Sequence, residues 1–250
     1  MSARPPRILS IAGSDSSGGA GIQADIKTIT MLGGYAMTAI TAITAQNTRG
    51  VHGVKSLSPD FVAAQIDACL EDIGADAVKI GMLGSADIAE VVADRLEDLG
   101  KPIVFDPVMV ATSGSALADD ATIQMFDWLM EIATITTPNV PELEALGGAG
   151  GMAARSVAYL AKGGDADGPM VEDRLVRPGH QDTVWSDARI VTKHTHGTGC
   201  TLSSAIAANL GRGLDLEQAI AEARLFVREA LKSAPGFGFG NGPLGHQAVR

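Results

Sequence analysis

The stretch ILSIAGSDSSGGAGIQADIKTITMLGGYAMTAITAITA, residues 8–45, decides the fold of this chain because it holds a strand, a turn, a helix and a second strand in succession. The apolar run Ile8–Ala12 predicts a first strand, and a glycine-rich turn follows it. Residues Ala20–Leu32 predict a helix, and Ala36–Ala45, rich in threonine and isoleucine, predicts the next strand. A helix between two strands lets them run parallel in one sheet, so the stretch predicts the first unit of an α/β fold.

The same alternation of short apolar runs and amphipathic segments continues along the chain. A helix over Pro59–Ile73 has Ser58 as its N-cap and a proline in its first turn. Before the apolar strand Val157–Ala161, only Pro141–Leu146 is predicted to be helical. The other predicted strands are Ala77–Ile80, Ile103–Phe105 and Thr134–Thr136, and the other predicted helices are Ala86–Leu99 and Asp119–Met130. The pattern predicts an α/β fold with a largely parallel central sheet.

Length and composition predict one large domain over residues 1–250. With 250 residues and 46% hydrophobic content, the chain can bury a full core, and no segment has the composition of a linker. The formal net charge is −10 without a basic cluster, which makes nucleic acid and anionic membranes poor partners. An anionic ligand would have to be held locally, by backbone amides, a few lysines or a metal.

The cysteines and the N-terminus predict a cytoplasmic protein. Cys69 and Cys200 form no CxxC or Cys/His spacing, which is typical of a reducing compartment and argues against a structural zinc site. The first residues, Met1–Pro6, lack the apolar run of a signal peptide. No segment approaches the roughly 20 apolar residues of a membrane span.

The segment His196–Ser204, HGTGCTLSS, places a glycine-built turn at the start of a helix. Backbone N–H groups converge in such a turn, and the helix dipole adds positive potential, so the turn predicts an oxyanion site. A helix N-terminus also favours a thiolate, and Cys200 is therefore expected to ionise more readily than a free cysteine and to accept a proton. The alternative is a helix that begins with small residues for packing, with Cys200 an ordinary small apolar side chain.

The first glycine-rich turn is not explained by common nucleotide motifs. The residues from Gly19 to Ala24 fit the permissive dinucleotide pattern, but a Rossmann site also needs an acidic residue about 20 positions further on. None lies between Asp25 and Asp60, and the lysine and serine or threonine of a P-loop are absent too. A flexible loop that closes over a small ligand remains, with Asp25 on the following helix, and a simple helix-packing turn is the alternative.

Polar and small residues follow or end the predicted strands. Ligands bind at the carboxyl ends of the strands in open α/β sheets, so these residues form one candidate rim. They are Gly13, Gln46, Gly81, Asp106, Asn139 and Lys162.

Two acidic segments and a lysine on this rim predict phosphate and metal chemistry. Asp106 follows a strand, while Asn139 and Glu142 stand at i and i+3, on one face of a helix start. Carboxylate oxygens together with a nucleotide phosphate are what Mg²⁺ prefers. Alternatively, Asp106 only satisfies free N–H groups, Glu142 only complements a helix dipole, and Lys162 is a solvated loop cation.

Seven segments, taken in order, resemble one family over nearly the whole chain. They are Ala12–Asp25, Ala45–Val51, Lys79–Leu83, Asp106–Met109, Thr137–Glu142, Lys162–Gly164 and Thr195–Ser203, and the tail Gly240–His246 is similar too. Together they resemble the bacterial hydroxymethylpyrimidine/phosphomethylpyrimidine kinases of thiamine biosynthesis, in the ribokinase-like superfamily. The resemblance implies a ribokinase-like, three-layer α/β/α fold and a homodimer.

The resemblance also implies a reaction and the residues that carry it. ATP would phosphorylate 4-amino-5-hydroxymethyl-2-methylpyrimidine and then its monophosphate, with Mg²⁺ as the cofactor. Cys200 would stand where most ribokinase-like enzymes carry an aspartate base, and Gly197, Thr198 and Gly199 would form the anion hole. Lys162 would act in catalysis and in nucleotide binding, Asn139 and Thr198 would bind the nucleotide, and Asp106 and Glu142 would hold the metal. The pyrimidine pocket would consist of Gly13, Ala20, Asp25, Gln46, Met82 and Val108.

The chain departs from the family pattern in the segment from Asn139 to Lys162, which is shorter than expected, and at three further positions. Thr112 stands where a lysine is common, Asp165 where a histidine is usual, and His194 where an asparagine is common.

A pyridoxal or pyridoxine kinase is the nearer alternative function, because its substrate also carries a hydroxymethyl arm on a heteroaromatic ring. A non-catalytic pyrimidine-binding regulatory protein is the more distant one. Gln46 and Met82 favour the pyrimidine, and the presence of Cys200 with the acidic residues and Lys162 favours an active enzyme.

Overall fold

The computed structural model describes residues 4–111, 114 and 117–249. Within these residues the sheet strands are β1 (Arg7–Asp15), β2 (Tyr35–Asn47), β3 (Gly50–Ser56), β4 (Ala77–Ile80), β5 (Ile103–Phe105), β6 (Ile135–Thr136), β7 (Tyr159–Ala161), β8 (Met170–Val176) and β9 (Thr183–Ala188). The helices are α1 (Gly21–Met31), α2 (Pro59–Asp72), α3 (Ala86–Leu96), α4 (Asp120–Ile132), α5 (Val140–Ala145), α6 (Gly148–Arg155), α7 (Thr198–Gly211) and α8 (Leu216–Lys232), and a 3₁₀ turn lies at His246–Ala248.

All nine strands of the described chain join one sheet in the order β3-β2-β1-β4-β5-β6-β7-β8-β9. The strands from β2 to β7 in this order pair in parallel. Antiparallel pairing occurs only at the two ends, where β3 pairs with β2 and the β8–β9 hairpin pairs with β7. The carboxyl ends of the parallel strands therefore meet along one edge of the sheet.

Two hydrophobic clusters cover the two faces of the sheet. Helices α2, α3 and α4 bury side chains such as Ile66, Val92 and Phe126 against one face. Helices α1, α7 and α8 bury side chains such as Ile29 and Ile206 against the other. This arrangement confirms the predicted three-layer α/β fold with a mostly parallel central sheet.

The predicted elements of the first half agree with the structure to within a few residues. The strands predicted at Ala77–Ile80 and Ile103–Phe105 have the observed bounds. Ser58 does occupy the N-cap position of α2, but its side chain makes no capping hydrogen bond. Proline at the first helical position accounts for that start instead, because its fixed φ suits a helix and it carries no N–H.

Three strands and two helices, α6 and α8, were not predicted. Helix α6 follows α5 directly, so the prediction of a single helix over Pro141–Leu146 before the Val157–Ala161 strand is wrong. Its sequence GAGGMAAR has low helix propensity, but the fully buried Met152 fixes it against the core. Strand β3 and the β8–β9 hairpin lack a continuous apolar run because much of their surface is exposed.

No helix in the described part of the chain is long and apolar enough to cross a bilayer.

Candidate active site

The site lies where the N-terminus of α7 meets the carboxyl ends of β5 and β7. A side chain on Gly199 would place its Cβ 3.4 Å from Lys162 Nζ and 3.6 Å from Asp106 Oδ2. Three segments that lie far apart in sequence are thus brought together, as the sequence predicts. Ser203, one turn further along α7, places its hydroxyl 3.4 Å from Asp106 Oδ2.

The turn before α7 has a backbone that only glycine suits. Gly197 has φ +89°, and a Cβ there would stand 1.9 Å from the carbonyl oxygen of Gly19. Thr198 donates its N–H to the carbonyl of Thr195 at 3.2 Å, so one of the three predicted anion-hole residues uses its amide inside the turn. The next amides, of Gly199 and Cys200, belong to the first turn of the helix and have no intrahelical acceptor. With the helix dipole they form a positive end that suits a phosphate oxygen.

The ionisation of Cys200 is the opposite of what the sequence predicts. Burial raises the pKa of its thiol to about 11, although Lys79 and the N–H of Gly21 favour the thiolate. The nearby carboxylates of Asp25 and Asp106 raise the pKa further. Desolvation and two negative charges therefore outweigh the helix N-terminus, and the thiol is protonated at neutral pH in the free protein.

A fully buried ion pair lies near Cys200. Lys79 Nζ donates to Asp25 Oδ2 at 3.0 Å, and neither side chain is exposed. Asp25 also accepts hydrogen bonds from Ser10 at 2.6 Å and from Ser204, one helical turn beyond Cys200, at 2.7 Å. Burial disfavours the ammonium ion, but Asp25 and the other acidic groups raise the pKa of Lys79. These three partners of Asp25 all belong to the protein interior, so its contact with a pyrimidine stays a prediction.

Asp106, Glu142 and Lys162 form a second charged cluster. Lys162 Nζ lies 2.8 Å from Asp106 Oδ1 and 3.9 Å from Glu142 Oε2. Thr137 donates a further hydrogen bond to Asp106 at 3.0 Å. Burial disfavours the charge of Asp106, but Lys162 and Lys79 outweigh burial and lower the pKa of this carboxyl. The pKa of Lys162 is raised, since its two acidic neighbours more than offset desolvation.

The negative charge of Glu142 is less well compensated by nearby positive charge than that of Asp106. Burial raises the pKa of Glu142 to about 7; Lys162 opposes this shift and the negative charge of Asp106 adds to it. Its carboxylate accepts the N–H of Asn139 at 2.8 Å, and the Asn139 side chain accepts the N–H of Glu142 at 2.9 Å. This reciprocal capping box explains the i, i+3 spacing seen in the sequence. The alternative role of Glu142 at a helix start is thus present, together with its contact to Lys162.

The residues predicted to contact the pyrimidine come from the carboxyl-end regions of β1, β2, β4 and β5 and from the first half of α1. Gly13 lies under Met82, whose Cε would stand 3.1 Å from a Cβ at that position. Gln46 is held by a pair of 2.9 Å hydrogen bonds between its backbone and the Ser16 hydroxyl, and its side-chain oxygen accepts the Thr44 hydroxyl at 3.1 Å. Ala20 is the N-cap of α1. Val108 is half-buried two residues after Asp106.

Asp15 and His196 join the glycine-rich loop to the turn before α7. Asp15 accepts the N–H groups of Gly19 at 3.0 Å and Ala20 at 2.9 Å, and His196 Nε2 lies 2.8 Å from Asp15 Oδ2. Burial opposes ionisation, but these hydrogen bonds hold the pKa of Asp15 well below its ordinary value. The Gln46 amide nitrogen lies 3.4 Å from the same imidazole nitrogen. One histidine therefore contacts both the pyrimidine side and the anion-binding side.

Sequence reasoning missed Asp15, Lys79 and His196 as site residues. Lys79 carried a usable signal, because a lysine inside the apolar strand 77–80 must be buried and therefore paired. Asp15 and His196 lie 181 positions apart and carried no pairing signal. Thr112, where a lysine is common in the family, lies outside the described residues.

The residues present fit a Mg²⁺ ion. Lys162 is the ion-pair partner of both Asp106 and Glu142, and the raised pKa of Glu142 shows that its negative charge is poorly compensated and would be stabilised by a divalent cation. In the described chain no group of three or more His, Cys, Asp or Glu side chains forms a complete metal site. One or two carboxylates completed by waters and substrate phosphates are the usual ligands of Mg²⁺.

Comparison with known proteins gives a consistent result. A family model described as phosphomethylpyrimidine kinase matches residues 15–245. The chain is 44% identical to the hydroxymethylpyrimidine/phosphomethylpyrimidine kinase of Synechococcus elongatus, over 96% of this chain and 97% of that protein. It spans only 35% of the multifunctional thiamine biosynthesis protein of Corynebacterium efficiens and 52% of the bifunctional one of Geobacter sulfurreducens, both 42% identical to it.

Solved structures of two kinases are also similar. The ADP complex of Bacillus subtilis pyridoxal kinase has a TM-score of 0.88 and 33% identity, and the match covers 99% of both chains. A phosphomethylpyrimidine kinase from Clostridium difficile has a TM-score of 0.76 and 38% identity, over 90% of this chain and 99% of that one.

Proposed function

This chain belongs to the phosphomethylpyrimidine kinase family, and from that membership we propose its reaction and the roles of its site residues. The enzyme transfers the γ-phosphoryl group of ATP to the hydroxymethyl group of 4-amino-5-hydroxymethyl-2-methylpyrimidine. It then phosphorylates the monophosphate to the pyrophosphate, in thiamine biosynthesis. The observation that carries this proposal is the convergence of the α7 N-terminus, Lys162 and Asp106 beside the residues of the pyrimidine pocket.

The acceptor binds on the side of β1 and β2. The Gln46 amide both donates to and accepts from the edge of an aminopyrimidine, while Gly13, Ala20, Met82 and Val108 surround the ring. Asp25, which is paired with Lys79, is the acidic contact of the pyrimidine in this proposal. The position of His196 against Gln46 and Asp15 fixes the acceptor side relative to the anion hole.

The transferred phosphoryl group binds at the start of α7. Phosphoryl transfer mainly needs positioning and neutralisation of charge. Because the Thr198 amide is bonded within the turn, the amides of Gly199 and Cys200 supply the N–H donors, and Lys162 supplies a positive charge. Asn139 and Thr198 lie on the nucleotide side. Asp106 and Glu142 hold Mg²⁺, which when bound neutralises phosphate charge and orients the nucleotide.

Cys200 accepts the proton of the attacking hydroxyl group. It does so as a thiolate, and Lys79 is the cation that favours this form by lowering the thiol pKa. Because burial keeps the resting thiol protonated, we propose that the catalytic rate of the enzyme rises with pH above neutrality.

We further propose a homodimer in a reducing, cytoplasmic compartment. Strand β3 lies at the end of the sheet and pairs only with β2 in the described chain, so its free backbone edge is suited to pairing with a second copy. Both cysteines are free thiols, in keeping with a reducing environment.

The experiment that tests the function measures ATP consumption with three acceptors: the pyrimidine alcohol, its monophosphate and pyridoxal. We expect both pyrimidines to be phosphorylated far faster than pyridoxal. Pyridoxal is the critical comparison, because a pyridoxal kinase has a similar structure. Equal or reversed rates would make the enzyme a vitamin B6 kinase.

A variant of Gln46 links this activity to the pocket. Gln46→Ala removes a ring contact and leaves the phosphate site intact, so it should raise KM for the pyrimidine more than KM for ATP. An unchanged pyrimidine KM would remove Gln46 from the binding site.

A further inference from the structure

A buried ion pair lies behind Lys162, outside the residues of the proposed site. Arg224 on α8 donates from Nε to Asp173 Oδ2 on β8 at 2.6 Å, and both side chains are only 9% exposed. The other carboxylate oxygen, Asp173 Oδ1, accepts the backbone N–H of Gly163 at 2.9 Å. The pair thus ends on the residue that follows Lys162.

The segment after Lys162 is one that needs such support. Two glycines follow the lysine, and glycine loses more conformational freedom on ordering than any other residue. Gly163 approaches β8 so closely that a Cβ would stand 2.0 Å from the carbonyl oxygen of Glu172. On the other side of the loop, Arg189 donates to the carbonyl groups of Gly164 and Gly168, each at 2.8 Å.

Lys162 itself is held at the backbone on both sides. Its own N–H donates to the carbonyl of Pro138 at 3.0 Å, and the next N–H, that of Gly163, donates to Asp173. Between these two anchors the side chain reaches Asp106. A shift of the second anchor would move the ammonium group relative to the acidic cluster and the α7 turn.

We propose that the Asp173–Arg224 pair is a positioning device for Lys162, acting through the N–H of Gly163. Arg224 fixes the Asp173 carboxylate, the carboxylate fixes the glycine amide, and the amide fixes the lysine that faces the transferred phosphoryl group. This inference rests on the proposed role of Lys162 in nucleotide binding. The same ion pair also links the β8–β9 hairpin to α8, so the test must separate positioning from stability.

Asp173→Ala is the variant that removes the anchor. We expect kcat/KM for ATP to fall by at least about tenfold, since small misplacements of a catalytic group have effects of this size. The dissociation constant of ATP, measured by titration, should increase. The dissociation constant of the pyrimidine should stay within about twofold of wild type, because the acceptor residues do not contact this pair.

Asp187→Asn is the matched control. Asp187 Oδ2 accepts from the same arginine at 3.0 Å, but its ion pairs, to Arg224 and Arg228, do not involve Gly163. The Asp187→Asn variant should have a lower melting temperature, and its kcat/KM and dissociation constant for ATP should stay near those of the wild type. Equal ATP kinetics in wild type, Asp173→Ala and Asp187→Asn would overturn the proposal.

Two further variants complete the test. Lys162→Ala should lower kcat/KM for ATP at least as much as Asp173→Ala does. If Lys162→Ala binds and uses ATP normally, the assigned role of Lys162 is wrong. If Lys162→Ala is impaired and Asp173→Ala is not, only the positioning inference is wrong. Should Asp173→Ala not fold, Asp173→Asn keeps the shape and weakens the acceptor, with an expected loss of at least about threefold in kcat/KM for ATP. A folded Asp173→Asn protein with wild-type ATP kinetics would likewise overturn the proposal.

Discussion

Lys79 carries a sequence signal of burial and pairing, although the sequence analysis did not predict it as a site residue. It is a charged side chain within an apolar strand and has no exposed surface. Removing one partner of such a buried pair typically costs about 3–5 kcal/mol, because the other charge is left uncompensated. The lysine therefore both stabilises Asp25 and favours the thiolate of Cys200.

Three residues of the predicted rim lie at strand ends, as the sequence indicated, for one physical reason. Asp106, Lys162 and Gln46 each stand at the carboxyl end of a strand, so the predicted sheet alone brought them to one edge. Asp15, His196 and the Asp173–Arg224 pair depend on contacts between distant segments. No local pattern encodes those contacts, and only the packed structure gives them.

Replacing Cys200 tests its chemical role. If its thiolate accepts the hydroxyl proton, Cys200→Ala should lower kcat by roughly 10²- to 10⁴-fold, the usual range for a lost general base, with pyrimidine binding retained. Cys200→Asp should recover part of the rate. Steady-state kinetics and a binding titration check both points, and near-normal kcat in the alanine variant would reduce Cys200 to a packing residue.

Alkylation of Cys200 measures the pKa on which this role depends. In a Cys69→Ser background, iodoacetamide should react slowly with Cys200 at pH 7 and faster as the pH rises toward its pKa of about 11. Bound pyrimidine should protect the thiol. Fast, pH-independent alkylation near neutrality would contradict the raised pKa.

At the level of elements, the site is built from element ends. The start of α7 meets the glycine-rich loop through Gly197 and Gly19, and the start of α5 turns Glu142 toward Lys162. Helix α6 and the β8–β9 hairpin were not predicted because packing and antiparallel pairing, rather than periodicity, fix them. The hairpin nevertheless supplies Asp173, so part of the proposed nucleotide side was invisible in the sequence.

The two acidic element ends should control the metal dependence. Replacing Asp106 with Asn or Glu142 with Gln should lower kcat and raise the Mg²⁺ concentration for half-maximal rate, since an amide oxygen is a weaker ligand than a carboxylate. Glutamine can still complete a capping box, so Glu142→Gln leaves the start of α5 intact.

Asp119→Ala is the control for loss of a helix cap. Asp119 caps α4 by accepting the N–H of Thr122 at 2.8 Å, and its loss should lower stability by about 0.5–2 kcal/mol without changing the metal dependence. Wild-type metal dependence in Asp106→Asn or Glu142→Gln would make that carboxylate structural only.

For the whole molecule, the alternation of strands and helices was enough to predict the parallel part of the sheet. The three-layer arrangement followed from the family resemblance, and the antiparallel strands at the two ends of the sheet were not predicted. That the chain is one kinase domain over residues 1–250 stays a prediction. The C-terminal segment was predicted only as a family-like tail, and the structure shows what it packs against. Gly245 donates its N–H to the carbonyl of Ala230 at 2.9 Å, and a Cβ there would stand 2.0 Å from the carbonyl oxygen of Ser233.

His246 makes this docked tail sensitive to pH. Its Nε2 lies 2.8 Å from the hydroxyl of Thr201 on α7, and its ring lies 6.5 Å from that of Phe226 on α8. Burial lowers the pKa of His246 from 6.5 to about 4, with a smaller contribution from the positive charge of Lys27. The folded state therefore binds this proton less readily than the unfolded state, so the free energy of unfolding decreases as the pH falls below 6.5.

The stability of the protein should fall between pH 6.5 and pH 4, by up to about 3 kcal/mol from this group at 1.36 kcal/mol per pKa unit. Above pH 6.5 the histidine is neutral in both states, and its contribution is constant. Urea unfolding at a series of pH values measures this dependence of stability on pH.

His246→Gln removes the titrating group, so its free energy of unfolding should decrease less steeply between pH 6.5 and pH 4 than that of the wild type. His52→Gln, at an exposed histidine, should keep the wild-type slope. Identical slopes for His246→Gln and wild type would contradict the buried neutral histidine and assign the acid sensitivity to other groups.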